Sequence, residues 1–381
     1  MGELEIERYL KSTQELTDWD QEIYKKLVTD KLSIKQINSI VNPDKVFCNE
    51  GSVLAIHWHP ETVPVDLAEK RISKMFPDRK KELIIPTQHN ILLGYHKYWG
   101  TEVDCYAPEF NRKVQLLLHF KEKKLKKADI LRSMLQHTFK YRSSQFYDIL
   151  DTILDPKYEE RVNEAVEATA TDEETVQFVR TYAGKLKMLV DENYNKTPIV
   201  SIKNKLLPNY LTQLKVFYNT RIINRSLVFV KEIKRIVKER FELGYFYSIH
   251  EIIEEVRGLG GGIVIPHPEQ FWPVLLADYD VDGIEVWNPQ SREYTDFLIN
   301  VTIKKNRTKQ YRNRPLLICM GDDTHLGEKL KDPADQNKTK ASREIGYQDA
   351  WEDILVQKSL LRGNITKDLI IDSYKERLDS Y

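Results

Sequence analysis

Four apolar runs of this chain end in side chains that can bind metal. VLAIHWH closes on His57 and His59, LIIPTQH on His89, GGIVIPH on His267, and LLICMGDDTH on Asp323 and His325. Side chains alternate along a strand, so residues i and i+2 point the same way. His57 and His59 can therefore hold one ion together, and Asp323 with His325 repeats the geometry. A lone histidine at a strand end is ordinarily a satisfied residue of core or surface. Two such pairs with two further strand-end histidines form a constellation, and the expectation is a metal site at the carboxyl ends of the strands. In parallel α/β folds that edge is where the following loops leave a crevice. His96, His137 and His250 lie in helical or loop contexts and read as structural. The glycine run Gly258–Gly262 follows a helix and enters a strand, the reverse of a phosphate loop, so it reads as a helix C-cap and tight turn.

The elements that carry these residues follow from pattern. Short β-rich runs cover VFCN, SVLAIHW, ELIIPTQHN and VQLLLHF, and helical spacing dominates from about Lys121 to Glu255. Strands return in GGIVIPHP, VDGIEVWN and PLLICMGDDTH, apolar runs expected to be buried and parallel. Near the start, Thr17 and Asp20 are spaced as a capping arrangement for a helix carrying Trp19, Ile23, Tyr24 and Leu27. The division expected is an N-terminal helical extension (1–45), an α/β core in two parts (46–120 and 248–330), a helical insertion (121–247) and a C-terminal helical tail (331–381).

Composition narrows the class. The chain has 381 residues, 41% hydrophobic and 30% charged, enough for a large domain with insertions or for two domains. Fifty-eight basic residues balance 58 acidic ones, so no global field gathers nucleic acid or anionic membrane. Cys48, Cys105 and Cys319 lie far apart, which argues for a reducing compartment and against a thiolate zinc site. No apolar run reaches the roughly 18 residues of a membrane helix. A cytoplasmic protein that is not embedded in a membrane is expected.

Taken in order, IHWHPE (56–61), PTQHN (86–90), GTEV (100–103), GGIVIPHP (261–268), GIEVWN (283–288) and GDDTH (321–325) resemble the motifs of the PHP (polymerase and histidinol phosphatase) superfamily. The resemblance covers about residues 50–120 and 248–327. It implies an α/β fold, a distorted barrel of about seven strands with a large helical insertion, holding two or three divalent metal ions (manganese, zinc or iron). His57 and His59 match the family's first metal pair, His89 its Thr-Asp-His histidine, and Glu102 its bridging glutamate. His267 matches the His-Pro motif, and Asp323 with His325 match the closing pair. Three departures stand out: Gln88 replaces an aspartate, Gln115 replaces a histidine, and Pro60 follows the first pair. Asp66 is the nearby carboxylate that fits the ligand expected after that pair. His119, four residues beyond Gln115 on the same strand face, is the candidate substitute there.

The activity implied is metal-dependent hydrolysis of phosphoesters, with a phosphorylated small molecule or a nucleic acid as substrate. Metal ions would activate a water and hold the phosphate oxygens, Glu102 and Asp323 serving the reaction as ligands. Arg292, just after GIEVWNPQ, is the candidate phosphate clamp, against the plainer reading of a solvated loop arginine. Two other readings stand beside this one. A degenerate, non-catalytic binding or scaffolding module is suggested by Gln88 and Gln115. A polynucleotide substrate is suggested by Lys215–Arg240, where basic residues interleave with Phe217, Tyr218 and Phe229; a solvated helix with its aromatics turned into a core would look the same.

Overall fold

The computed structural model describes residues 15–380, which form two compact units. One takes the chain through Lys31 together with Lys140–Glu242; the other takes Leu32–Phe139 and the chain from Leu243 onward. The division falls inside the helix Asp129–Leu154. No helix among the described residues is long and apolar enough to cross a membrane.

The second unit holds ten strands: β1 Ser52–Ala55, β2 Trp58–His59, β3 Lys81–Ile84, β4 Leu93–Tyr95, β5 Tyr98–Ala107, β6 Arg112–Lys121, β7 Gly262–Ile265, β8 Gly283–Trp287, β9 Leu317–Met320 and β10 Thr324–His325. A six-stranded sheet runs β4-β5-β6-β7-β8-β9, antiparallel from β4 to β7 and parallel across β7, β8 and β9. β1 pairs with β3 and β2 with β10, both parallel. The parallel expectation thus holds for the last three apolar runs, and GIVI and LICM are buried at every position, as strands covered on both faces require. Single backbone bonds link the strand groups. Thr87 N donates to Trp58 O, Glu102 N to Gln88 O, Asp323 N to His57 O and Gly321 N to Trp287 O. Every strand-end candidate except His267 is tied by such a bond or sits one or two residues from one.

β7 enters from the helix Ile249–Gly258, opened by a capping box between Ser248 and Glu251. Gly260 takes φ +71, Gly261 N donates to Val256 O and Gly260 N to Arg257 O, the paired closure of a helix ending on a left-handed residue. A side chain at Gly261 would meet Phe120 at 2.3 Å, so glycine is needed for close approach as well as for the turn. The C-terminal stretch is core material. Ile370, Ile371, Tyr374 and Leu378 of the helix Lys367–Ser380 are buried against Leu54, Ile56, Leu83, Leu117, Val264 and Cys319. Each such side chain contributes roughly 1.5–3 kcal/mol.

The first unit is built from helices. Thr17 Oγ1 accepts from Asp20 N at 3.3 Å while Asp20 Oδ2 accepts from Thr17 N at 2.9 Å, the capping box expected from the sequence. Asp20 is itself buried, and it also accepts from Lys185 Nζ at 3.0 Å and Tyr210 OH at 2.5 Å. Ile223, Ser226, Phe229, Val230, Ile233 and Ile236 of the helix Thr220–Glu239 are buried at three- and four-residue spacing. Phe217 packs edge-on against Trp19, and Tyr218 hydrogen-bonds Tyr182. Arg235 and Arg240 meet Glu164, and Arg225 meets Asp172. The basic and aromatic interleaving of Lys215–Arg240 is that of a segment with its aromatics packed on other rings or buried and with Arg225, Arg235 and Arg240 paired with acids.

Lys185→Met leaves Asp20 buried without its cation. The expected outcome is a loss of about 3–5 kcal/mol in urea unfolding followed by circular dichroism. The capping and side-chain hydrogen bonds hold Asp20 below the ordinary carboxylate value against the opposing effect of burial. A depressed pKa gives stability that is full above the unfolded value and lost as pH falls through the folded one, so the wild type should lose this increment in acid below about pH 4.

Candidate metal centre

The six strand-end candidates and Glu102 come together. His57, Glu102 and His267 form one group of donor atoms, His57, His59 and Asp323 a second, and His59, His89 and His325 a third, each within 4.8 Å. Strand geometry explains the convergence. His57 and His59 leave β1 and β2 on one face, β10 pairs His325 beside His59, and an isolated bridge sets His89 beside Glu102. Four residues at these turns have positive φ without being glycine: Glu61 (55°), Asn90 (56°), His267 (27°) and Asp323 (44°). Backbone of this kind costs about 1–3 kcal/mol per residue and persists where surrounding structure fixes it.

Three of the separations suit donors sharing one ion. Glu102 Oε1 lies 3.3 Å from His267 Nε2 and 3.9 Å from His57 Nε2, while its Oε2 faces His89 Nδ1 and lies 3.8 Å from His59 Nε2. Asp323 Oδ1 lies 3.3 Å from His325 Nε2, 3.4 Å from His59 Nε2 and 3.7 Å from His57 Nε2. Two donors about 2.1 Å from one metal ion sit roughly 3.0–3.4 Å apart. Among the described residues, His57 Nε2 and both ring nitrogens of His59 are buried without a hydrogen-bond partner. Buried polar atoms left so are costly, and a cation satisfies them. Imidazole with carboxylate suits manganese, zinc or iron alike. The two oxygens of Glu102 face different histidine groups, the disposition of a bridge.

The surroundings fix the rings. His57 Nδ1 is 2.6 Å from Glu285 Oε2, and Asn288 Nδ2 donates to Glu285 Oε1 at 2.9 Å. This leaves His57 Nε2 toward Glu102 and Asp323. His325 Nδ1 is 3.4 Å from Glu61 Oε1. Burial opposes charge on His57, yet Glu285, Asp323 and Glu102 push its pKa up to about 10. His59 behaves oppositely: burial, then repulsion from His325 and His89, hold it well below the ordinary imidazole value. Its ring stacks on that of His325 at 4.3 Å and on that of His89 at 4.4 Å. Glu102 and Asp323 are driven well below the carboxylate range by the histidines around them, against burial. Asp322 goes the other way, raised by burial to about 7 while it accepts from Thr324 N and Gly346 N.

Several sequence expectations need correction. Arg292 does not join the cluster: it is exposed, pairs with Asp349 at 2.8 Å and lies over Trp287, the solvated loop arginine of the plainer reading. The arginine that touches the cluster is Arg343, whose Nη1 donates to Asp323 Oδ2 at 2.7 Å. Asp66 stands exposed on the helix Val65–Met75 beside Lys70, and Glu61 is the acid that reaches the site. Its place directly after HWHP was the signal available. Gln88 is no donor to the cluster; its Oε1 accepts from Glu61 N at 3.0 Å and so helps place Glu61. Gln115 lies opposite Asp104 in the β5–β6 ladder. His119 is no substitute ligand, because its Nδ1 meets Tyr374 OH at 2.7 Å and its Nε2 meets Ile56 O at 3.0 Å. Burial pushes its pKa down to about 3. His96, His137 and His250 are engaged by Glu69, Tyr245 O and Glu109, in keeping with structural roles.

Fold and site together define a mixed α/β protein carrying a buried imidazole–carboxylate cluster of metal-binding composition. No family model and no curated protein sequence matches the chain. Among solved structures, the crystal structure of a candidate metal-dependent phosphoesterase from Bifidobacterium adolescentis matches with a TM-score of 0.40 and 18% identity, over 82% of this chain and 96% of that one.

Tyr374→Phe removes one partner of a buried histidine and should cost about 1–3 kcal/mol in urea unfolding. Metal content measured by elemental analysis should be unchanged. Loss of metal in this variant would return His119 to the site.

Proposed function

We propose that this protein is a metal-dependent phosphoesterase of the PHP superfamily, with His57, His59, His89, Glu102, His267, Asp323 and His325 holding two or three divalent ions. The observation that carries this reading is the convergence of seven residues, chosen from motifs spread along the chain, into three overlapping groups of donor atoms. The bonds from Thr87 to β2, from β5 to Gln88, and from the 321–325 turn to His57 and β8 support a closed, barrel-like arrangement. Ions bound there would lower the pKa of a water toward neutrality and offer positive charge to phosphate oxygens.

The chain's own residues do the rest. Glu102 offers one oxygen to each of two histidine groups, and Glu285 keeps the His57 proton on Nδ1 so that Nε2 faces inward. Glu61 supplies a carboxylate near the position where the family's aspartate is replaced by Gln88. This favours an enzyme over a degenerate binding module. The substrate class is a phosphorylated small molecule or nucleic acid, recognised by the phosphoester itself.

Protein purified without added metal should carry manganese, iron or zinc by elemental analysis, or take up two to three equivalents when loaded and desalted. Hydrolysis of a panel running from 4-nitrophenyl phosphate to nucleotides and oligonucleotides should fall by at least about 10²–10³-fold in His57→Ala and Asp323→Ala with circular dichroism unchanged. Wild-type turnover in both purified variants sinks the assignment.

A further inference from the structure

Asp323 divides its carboxylate between two tasks. Oδ1 faces His57, His59 and His325. Oδ2 accepts from Arg343 Nη1 at 2.7 Å and from Gln290 Nε2 at 2.8 Å. Arg343 Nη1 also donates to the backbone carbonyl of Asp323 at 3.0 Å. One guanidinium nitrogen therefore ties the side chain of Asp323 to its own backbone, at a residue whose φ is +44°. The Arg343 side chain is 4% exposed. A buried guanidinium is tolerated only where it is paired, and Asp323 is the acid that Arg343 meets.

The segment bearing Arg343 is fastened on both sides. Glu344 accepts from Arg71 at 2.7 and 2.9 Å and from Lys329 at 2.9 Å. Gly346 N donates to Asp322 at 2.9 Å, and Gln348 Nε2 to Leu54 O at 2.7 Å. These contacts anchor residues 343–348 to the strand that delivers His57 and to the turn that delivers Asp323. We infer that Arg343, aided by Gln290, is a positioning residue that makes Asp323 a one-oxygen ligand. With Oδ2 occupied by two donors, the carboxylate can neither chelate one ion through both oxygens nor swing away from the three imidazoles. The guanidinium is anchored through one nitrogen at two points of one residue, and its delocalised, weakly hydrated charge suits a buried pair better than a lysine ammonium does. This inference rests on the metal reading of the preceding section.

The test uses the full-length protein with Mn²⁺ alone, titrated in competition with a chromophoric chelator, and the visible spectrum of the Co²⁺-loaded protein as a report on ligand geometry. Arg343→Met should weaken Mn²⁺ binding about 10–100-fold and change the Co²⁺ spectrum. Arg343→Lys should recover part of the affinity. Gln290→Leu, which leaves the buried cation in place, should show a smaller loss in the same direction. Wild-type affinity and spectrum in Arg343→Met overturn the positioning role while leaving the metal reading intact. If that variant fails to fold, Gln290→Leu decides, and wild-type behaviour there overturns the inference. Wild-type protein that binds no Mn²⁺ overturns the metal reading, and this inference with it.

Discussion

Five imidazoles and two carboxylates are packed with their lone pairs facing one another in a place water hardly reaches. They cannot satisfy each other, because most of the nitrogen–oxygen gaps are too wide for good hydrogen bonds and several ring nitrogens have no other partner. Such an arrangement is held together by the rest of the unit, not by itself. The strand ladders supply the stiffness, and the left-handed backbone at His267 and Asp323 turns the chain sharply where apolar strand gives way to polar site. A flexible loop would let these residues part; a continuous strand would point half of them away.

Around the cluster a second set of groups has no plausible role as ligands and a clear one as fixtures. Glu285 holds His57, Asn288 holds Glu285, and Gln88 holds the backbone of Glu61. Each removes a rotational freedom that would otherwise be lost only on binding. Asp322 and Asp323 show how finely environment separates adjacent acids. One receives two backbone N–H groups and is driven toward the neutral form by burial, while the other is surrounded by imidazoles and driven the opposite way.

Much of this was legible in the sequence, for identifiable reasons. Apolar runs with period-two donors at their ends gave His57, His59, Asp323 and His325, since strand alternation is local. The helix cap at Thr17 and the C-cap within Gly258–Gly262 were readable for the same reason. The ends of two further runs gave His89 and His267, and Glu102 rested on motif order. What failed was everything that depends on how distant loops fold back. Arg292 is near a motif in sequence, but its own turn carries it outward to Asp349. Arg343 lies 18 residues past His325 and returns to the site only through Glu344, Gly346 and Gln348. His119 shares a strand face with Gln115, yet that side chain is met by Tyr374, 255 positions away.

The helix Lys367–Ser380 closes a core whose first strand begins at Ser52. During synthesis His57 and His59 leave the ribosome early, whereas Asp323, Arg343 and Tyr374 follow only after the whole of Lys140–Glu242 has been made. At roughly 5–20 residues per second, the early histidines wait on the order of tens of seconds for the residues that complete their surroundings. The helical stretch made in between has all its own core partners by the time Val237 emerges. The donor cluster is therefore complete only once the last elements have been made, and an ion arriving earlier would meet only part of the proposed ligand set.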